Sequence, residues 1–198
     1  MNKRVIRFFD VIFSLAGILV LLPVLGIVAV LIKLDSKGSV LYRQVRVGIH
    51  NRDFLLLKFR TMRTDADKTG LITVGDRDAR ITRFGYYLRK SKLDELPQLF
   101  NVLAGSMSLV GPRPEVRKYV DLYTPEQMKV LSVRPGISDF ASIEYSDENA
   151  LLGKAENPEA VYLKEILPHK IRLNMKYIEQ PTLKNYFSVI FKTLINLF

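Results

Sequence analysis

The stretch "VIFSLAGILVLLPVLGIVAVLI", residues 11–32, sets the architecture of this chain because its 22 residues carry no charge. A straight helix rises about 1.5 Å per residue, so this stretch is long enough to cross the ~30 Å hydrocarbon core of a bilayer. A signal peptide would have a shorter apolar region that ends in a small-residue cleavage site, and the stretch has neither feature. We therefore expect a membrane-embedded helix.

Two features favour a helix that enters the bilayer and returns to the same face. Pro23 lies at the centre of the stretch, where proline removes a backbone hydrogen bond and bends a helix. Basic residues flank both ends: Lys3, Arg4 and Arg7 before it, and Lys33 and Lys37 after it. Because Lys and Arg favour the cytoplasmic side, both ends are expected there. The prediction is a re-entrant membrane helix over residues 1–37, broken at Pro23, with a single membrane span as the alternative.

Length and composition restrict the remaining possibilities. Of the 198 residues, positions 38–198 suit one further domain, which we expect to face the cytoplasm. The chain has no cysteine, which excludes disulfides, a thiol nucleophile and cysteine-bound metals. Its two histidines, His50 and His169, are far apart, which disfavours a histidine metal site. The net charge of +10 suits an anionic partner. The uncharged stretch argues for a lipid bilayer as that partner and against nucleic acid.

The remaining sequence predicts an α+β fold: a mostly helical single domain with a small β-hairpin. Residues 39–62 contain two extended segments separated by a polar turn, which indicates the hairpin. Residues 63–80 are polar and charged in both signs, which is typical of a loop. Helices are expected over about 81–90 and 158–179, and a capping-box pattern at 124–127 predicts another helix start.

The end of the sequence, "LKNYFSVIFKTLINLF", has apolar residues at helical spacing and polar residues between them. Such an amphipathic helix either packs in a protein core or lies in the bilayer interface. The sequence leaves both readings open, and the expected fold includes interfacial amphipathic helices. The apolar positions are Leu183, Tyr186, Phe187, Ile190, Phe191, Leu194 and Phe198.

The segment "SKLDELPQLFNVLAG", residues 91–105, carries the adjacent carboxylates Asp94 and Glu95. Pro97 is tolerated only in the first turn of a helix, so the helix should start between Ser91 and Asp94, with Gly105 as its stop. A helix start and neighbouring basic residues favour ionised carboxylates that can hold a divalent cation. Simple helix capping is the alternative. The expected buried positions of this helix are Leu96, Leu99, Phe100 and Leu103.

Stiffly presented basic residues accompany this acidic pair. Arg113 lies between two prolines, Arg134 precedes Pro135, and Lys58 and Arg60 end an apolar strand. Rigidly held arginines suit bidentate binding of phosphate. An acidic pair, rigid arginines and a membrane segment together indicate metal-assisted phosphoryl transfer at a bilayer surface. A non-catalytic basic membrane protein that docks other enzymes is the competing hypothesis.

Three motifs resemble those of the monotopic phosphoglycosyl transferases, bacterial enzymes that start polysaccharide and glycoconjugate assembly. They are "KFRTM" (58–62), "LRKSKLDELPQLFNVLAGSMSLVGPRP" (88–114) and "VRPGIS" (133–138). The resemblance implies transfer of sugar-1-phosphate from a UDP-sugar to polyprenyl phosphate, such as undecaprenyl phosphate, with release of UMP. It also implies a location in the bacterial inner membrane, with the catalytic domain on the cytoplasmic face.

The resemblance also implies roles for individual residues. Asp94 would be the nucleophile that forms a phosphosugar-aspartyl intermediate, and it would bind the required Mg²⁺. Glu95 would tune or position the site, or accept a proton. Pro23 matches the helix break of the family, although the common Ser-Pro pair is here Leu22-Pro23. The implied phosphate-binding residues are Lys58, Arg60, Arg89, Arg113 and Arg134.

The sequence departs from the family after Pro135. Many relatives continue with a threonine-glycine pair and a later arginine, whereas this chain has Ser138-Asp139 followed by acidic residues. We hypothesise that residues 138–150 recognise the sugar, which would be an amino or deoxyamino sugar. The sequence leaves the sugar, the pathway and the oligomeric state open. The acidic residues that follow are Glu144, Asp147 and Glu148.

Overall fold

The computed structural model describes residues 3–64, 66, 78–145, 148–153 and 155–196, and the side chains of 149 and 150 are outside this description. The described chain is mostly helical with two small sheets, which confirms the α+β class. The predicted loop over 63–80 lies largely outside the described residues. The helices are α1 (Lys3–Asp35), α2 (Arg83–Lys90), α3 (Gln98–Ala104), α4 (Arg117–Val120), α5 (Phe140–Glu144), α6 (Glu148–Leu152), α7 (Pro158–Val161), α8 (Leu167–Glu179) and α9 (Leu183–Asn196). The strands are β1 (Leu41–Val47), β2 (Asp53–Phe59), β3 (Ser108–Val110) and β4 (Gly136–Ser138).

The predicted hairpin is confirmed. Strands β1 and β2 pair antiparallel, from Leu41 opposite Phe59 to Val47 opposite Asp53. The outer edge of β2 is closed by a side chain rather than by a third strand. Asn101 of α3 accepts a hydrogen bond from the Leu57 N–H at 2.9 Å and donates one to the Leu55 carbonyl at 2.7 Å. This amide therefore attaches α3 to the hairpin.

The second sheet was not predicted from the sequence. Strands β3 and β4 pair in parallel. The backbone that follows β3 is in close contact with the backbone at the start of β4. A Cβ atom on Gly111 would lie 2.3 Å from the Arg134 carbonyl oxygen, and one on Gly136 would lie 2.1 Å from the Gly111 nitrogen. Only glycine fits at this approach, so the backbone just before Arg113 is held rigidly.

Helix α1 lies along the domain over most of its length. It is the one helix of the described residues that is long and apolar enough to cross a membrane. The α-helix continues through Pro23 without interruption, so the predicted break in the helix is absent, and the re-entrant course of α1 stays a prediction. One side of α1 is buried while the opposite side exposes large apolar side chains. The buried side consists of Asp10, Ser14, Ile18, Leu25, Val28 and Ile32.

Both ends of α1 are fastened to the rest of the protein. Near the start, Arg7 donates hydrogen bonds to the Val102 and Leu103 carbonyls at the end of α3. Near the end, the Asp35 carboxylate accepts a hydrogen bond from the Phe84 N–H at 3.2 Å. These contacts are about 40 Å apart along a straight helix.

Helix α9 has one buried and one exposed side, so its packing in the core is confirmed and its place in the bilayer interface stays a prediction. Tyr186 and Val189 are fully buried and pack with Val110 of β3. The Tyr186 hydroxyl donates to the buried Asp10 carboxylate at 2.8 Å, which joins α9 to α1. The other side of the helix leaves large apolar side chains exposed, and these are Phe187, Phe191, Leu194 and Ile195.

Candidate active site

The acidic pair lies in a separate turn before α3. Lys92 has a left-handed backbone (φ 57°) that reverses the chain after α2, and a 3₁₀ turn follows over Leu93–Glu95. Helical structure thus begins at Leu93, within the predicted range Ser91–Asp94, but this first turn is 3₁₀ and the α-helix begins only after Pro97. No side-chain capping hydrogen bond is made at either helical start, which argues against capping as the purpose of the pair. The predicted stop at Gly105 is confirmed by its left-handed conformation (φ 90°).

The buried side of α3 also differs from the expectation. Phe100 is 41% exposed, whereas the polar Gln98 and Asn101 are buried together with Val102. Burial of Asn101 is possible because its amide forms hydrogen bonds with the β2 backbone and with the Ser106 hydroxyl. Of the leucines, Leu99 packs close to α1, where a Cβ on Gly17 would lie 3.3 Å from its Cδ1 atom.

Glu95 is the centre of an ion-pair cluster. Its Oε1 atom lies 2.9 Å from Lys58 Nζ and 2.5 Å from Arg113 Nη2. The second guanidinium nitrogen of Arg113 lies 3.4 Å from Oε2, so Arg113 binds the carboxylate with both arms. The Arg113 backbone N–H donates to Asp139 Oδ2 at 2.7 Å. Both the backbone and the side chain of Arg113 are therefore fixed by carboxylates.

Asp94 lies beside this cluster and differs from its neighbour in bonding. It is 7% exposed and accepts no hydrogen bond from the residues that the structure describes. Burial raises the pKa of the Asp94 carboxyl; Lys58 opposes this shift, and the charge of Glu95 adds to it. The sequence predicted a readily ionised pair, so the direction for Asp94 is the reverse of the expectation. Its carboxylate is available for chemistry.

The two cations produce the opposite shift at Glu95. Burial alone would raise its pKa, but Arg113 and Lys58 reverse the effect and hold the pKa well below the usual range. Glu95 is therefore ionised because of this ion pairing rather than because of a helix end. Burial lowers the pKa of the Lys58 ammonium group, and attraction to Glu95 only partly compensates.

The other predicted phosphate-binding residues are less closely associated. Arg89 ends α2, acts electrostatically on Asp94 and makes no ion pair with a described residue. Arg60 is buried and donates to the Ser36 and Lys37 carbonyls after α1. Arg134 donates from Nε to the Gly105 carbonyl at 2.8 Å, at the opposite end of α3 from Asp94. Arg60 and Arg134 thus hold the backbone in this structure, and their contacts with phosphate stay predictions.

Asp139 is a site residue that sequence reasoning missed. Its carboxylate accepts hydrogen bonds from the Arg113 N–H, the Ser142 N–H and the Asn174 amide. The first of these contacts links it to the acidic pair through Arg113. Its position one residue before α5 is the signal that was available, since aspartate is a preferred N-cap residue.

The acidic residues that follow Asp139 are partly paired within the domain. Glu148 binds Lys170 at 2.8 Å, and Glu144 lies 3.7 Å from His169. Asp147 lies outside the described residues. The predicted role of residues 138–150 in sugar recognition stays a prediction.

The donor atoms around Asp94 are compatible with Mg²⁺. The described residues contain no cluster of three or more Asp, Glu or His side chains that would hold a metal by themselves. Magnesium in phosphate chemistry commonly takes only one or two protein carboxylates and completes its shell with substrate oxygens and water. Asp94 offers one such carboxylate, whereas Glu95 is already bound by two cations.

Comparisons with known proteins identify a family and several relatives of this chain. The chain matches the family described as bacterial sugar transferase over residues 1–198. It is 46% identical over 140 residues to the UDP-N-acetylgalactosamine-undecaprenyl-phosphate N-acetylgalactosaminephosphotransferase of Aeromonas hydrophila, covering 69% of this chain and 33% of the relative. It is 34% identical over 200 residues to the UDP-glucose:undecaprenyl-phosphate glucose-1-phosphate transferase of Caulobacter vibrioides, covering 100% of this chain and 70% of the relative. The chain thus spans about one third of the Aeromonas protein.

Proposed function

Because the chain belongs to the bacterial sugar transferase family, we propose that it transfers sugar-1-phosphate from a UDP-sugar to polyprenyl phosphate, such as undecaprenyl phosphate. The products are polyprenyl-diphosphate-sugar and UMP, and the reaction is the first membrane step of polysaccharide or glycoconjugate synthesis. The Aeromonas and Caulobacter relatives are both named for undecaprenyl phosphate. The observation that carries the proposal is the buried Asp94 carboxylate, which accepts no hydrogen bond from a described residue and lies beside the Lys58–Glu95–Arg113 cluster.

The reaction proceeds in two displacements at one phosphorus atom. An Asp94 carboxylate oxygen attacks the sugar-bearing phosphorus, and the bond from this phosphorus to the UMP oxygen breaks. UMP leaves with the electron pair, and the sugar phosphate stays on Asp94. An oxygen of polyprenyl phosphate then attacks the same phosphorus, the aspartyl–phosphate bond breaks, and the carboxylate is regenerated.

The basic residues stabilise charge during both steps. Arg113 and Lys58 face the place where the diphosphate binds, and Glu95 holds these two cations at fixed positions before the substrate arrives. Arg89 adds a third positive charge close to Asp94. Mg²⁺ held by Asp94 and the diphosphate supplies further neutralisation of phosphate charge when it is bound. Glu95 is thus assigned to positioning rather than to proton transfer.

The reaction is tested by UMP release from a panel of UDP-sugars, with detergent-solubilised protein and undecaprenyl phosphate. We expect magnesium-dependent release that Asp94→Asn abolishes, and sugar-phosphate label that stays on denatured wild-type protein but not on this variant. Glu159→Gln is the control, since Glu159 forms an exposed ion pair with Lys118. Full turnover by Asp94→Asn would refute the nucleophile. If no donor gives UMP release, the competing hypothesis of a non-catalytic membrane protein that docks other enzymes is favoured.

The proposed membrane attachment is a re-entrant α1 that returns at Pro23, with the domain on the cytoplasmic face of the bacterial inner membrane. It is supported by the buried side of α1 and by the fastening of both its ends to one domain. The cysteine-free chain allows a direct test with the single variants Lys3→Cys and Lys37→Cys. An impermeant maleimide should reach both positions from the cytoplasmic side. Labelling from opposite sides would establish a spanning helix instead.

Choice of sugar is proposed to depend on residues 138–150. The relatives named above differ in the sugar, N-acetylgalactosamine in one and glucose in the other. Exchanging this segment for that of a relative should change the donor preference in the UMP-release panel. The same preference after the exchange would assign sugar recognition to another part of the protein.

A further inference from the structure

A cavity lies on the side of Arg113 that faces α8. Its walls are mostly proline and aliphatic side chains, and its polar lining residues are Arg113, Glu115, Tyr123, Lys170 and Asn174. The free space between these residues is about 460 Å³ including the open mouth, of which about 30 Å³ is wide enough to admit water. A few polar groups between apolar walls are typical of a ligand pocket.

Asn174 contributes an unusual buried acceptor to this cavity. It is 5% exposed, and its Oδ1 atom has no hydrogen-bond partner among the described residues. Its Nδ2 atom donates to Asp139 Oδ2 at 3.2 Å. The reversed amide would place Oδ1 against that carboxylate, so the orientation is fixed. A buried acceptor without a donor is costly, which indicates that a ligand supplies the donor.

Lys170 places a donor beside this acceptor. It lies four residues before Asn174 on α8, so both side chains project from the same side of the helix. The Lys170 ammonium group donates to Glu148 at 2.8 Å and lies 5.4 Å from the centre of the Tyr162 ring, and it has no second hydrogen-bond acceptor among the described residues. The cavity therefore presents one acceptor and one cationic donor next to Arg113.

Uracil matches this pair of groups. Its N3–H is a donor that lies between two carbonyl acceptors, whereas cytosine has an unprotonated N3 and an amino group in the corresponding positions. We propose that the cavity is the nucleoside subsite of the donor substrate. Asn174 Oδ1 accepts a hydrogen bond from uracil N3–H, and Lys170 donates to a neighbouring carbonyl. This assignment rests on the proposed use of UDP-sugars with the diphosphate at Arg113.

Entry of the base requires the apolar wall to move outward, because the space that admits water is much smaller than a nucleobase. Val130 and Leu131 form part of that wall and belong to a 3₁₀ segment, Gln127–Ser132, rather than to a long helix. This segment packs against Leu167 and Ile171 of α8, so entry of the base requires these contacts to loosen while Asn174 and Lys170 stay in place.

Binding of nucleotides to the wild-type protein tests the proposal without any mutation. Calorimetry with UMP, N3-methyl-UMP, CMP and 2′-deoxy-UMP separates the groups that are recognised. We expect N3-methyl-UMP and CMP to bind roughly tenfold to a hundredfold more weakly than UMP, the usual effect of leaving a buried polar group unpaired. The deoxynucleotide should bind like UMP. Equal binding of all four, or weakening of the deoxynucleotide alone, would overturn the proposal, since the cavity would then hold water only or contact the ribose.

Variants separate hydrogen bonding from steric exclusion of the methyl group. In Asn174→Ala the preference for UMP over N3-methyl-UMP should fall to near one, while the exposed control Asn196→Ala keeps it. A preference that survives in a folded Asn174→Ala protein would refute the role of Oδ1. If this variant does not fold, the wild-type nucleotide series decides alone. If Asn174→Ala keeps the preference for UMP over N3-methyl-UMP and UMP release is normal, only the nucleoside subsite is refuted. If the wild-type protein releases no UMP, the proposed function itself is refuted.

Discussion

Replacing Glu95 by glutamine should destabilise the protein measurably, because this carboxylate is the shared partner of two cations. The side chains of Glu95 and Lys58 are 15% and 17% exposed, and that of Arg113 is 35% exposed. Glutamine keeps the shape of the side chain but removes its charge. Lys58 and Arg113 then lose the carboxylate that pairs with both of them, and the more weakly acting charges of Asp94 and Asp139 remain near them.

The size of the effect follows from this burial. Removing one partner of a fully buried ion pair costs about 3–5 kcal/mol. The partial exposure of Arg113 screens part of the interaction, so we expect a loss of about 2–3 kcal/mol in the free energy of unfolding. For a chain of this size, that loss lowers the unfolding midpoint by roughly 4–12 °C.

Thermal unfolding in one detergent measures this shift, with Glu159→Gln as the matched control. The Glu159–Lys118 pair has a similarly short separation of 2.5 Å, but its side chains are 46% and 58% exposed. Exposed pairs contribute little, so the control midpoint should barely change. Equal midpoints for Glu95→Gln and the control would refute the assignment of Glu95 as the electrostatic centre of the site.

The pH dependence of the stability difference between wild type and Glu95→Gln tests the same prediction independently. The pKa of Glu95 is lowered by folding, so its stabilising contribution is present above the pKa of an unfolded glutamate. It is lost only as pH falls through the depressed value. The difference between wild type and Glu95→Gln should therefore persist from neutral pH through mildly acidic pH and shrink in strong acid. A difference that disappears near pH 6 would contradict the lowered pKa.

Three further predictions concern catalysis and packing. Burial raises the pKa of Asp94, so kcat/KM should fall in acid at a pH above the usual aspartate range. Burial lowers the pKa of Lys58, so kcat/KM should fall in base at a pH below the usual lysine range. A pH profile with both transitions at the ordinary values would contradict this. Gly111→Ala should lower the unfolding midpoint strongly because its Cβ would meet a carbonyl oxygen at 2.3 Å, whereas Gly26→Ala, with no atom within 4 Å, should not. Asp10→Ala leaves three donors without their acceptor and should cost about 3 kcal/mol or more; an unchanged midpoint would contradict it.

Local patterns were sufficient where the physical cause is itself local. The uncharged stretch of residues 11–32 predicted helix α1, since apolar length depends on composition alone. Alternation around a polar turn predicted the hairpin, and Gly105 predicted the end of α3. The capping box at 124–127 forms both of its hydrogen bonds, although the segment that follows is a 3₁₀ helix.

Prediction failed where a contact joins distant parts of the chain. The buried side of α3 was misassigned because Asn101 finds its partners on β2, 44 and 46 residues away in the sequence. A hydrophobicity pattern treats asparagine as exposed, and only the tertiary contact makes its burial favourable. The β3–β4 sheet was not predicted for a similar reason. Its two strands are short, and they are strands because they pair with each other rather than because of their composition.

The sequence alone determined that this chain carries a long apolar helix, an acidic pair and arginines next to prolines, because these depend on residue type and spacing. Only the tertiary structure decided how the pair divides its roles. Folding brings Lys58 and Arg113 onto Glu95 and leaves the Asp94 carboxylate buried, with no hydrogen bond from the part of the chain that the structure describes. Burial and charge then move the two pKa values in opposite directions. Adjacent residues differ in this way because desolvation and ion pairing depend on three-dimensional neighbours, which sequence order does not specify.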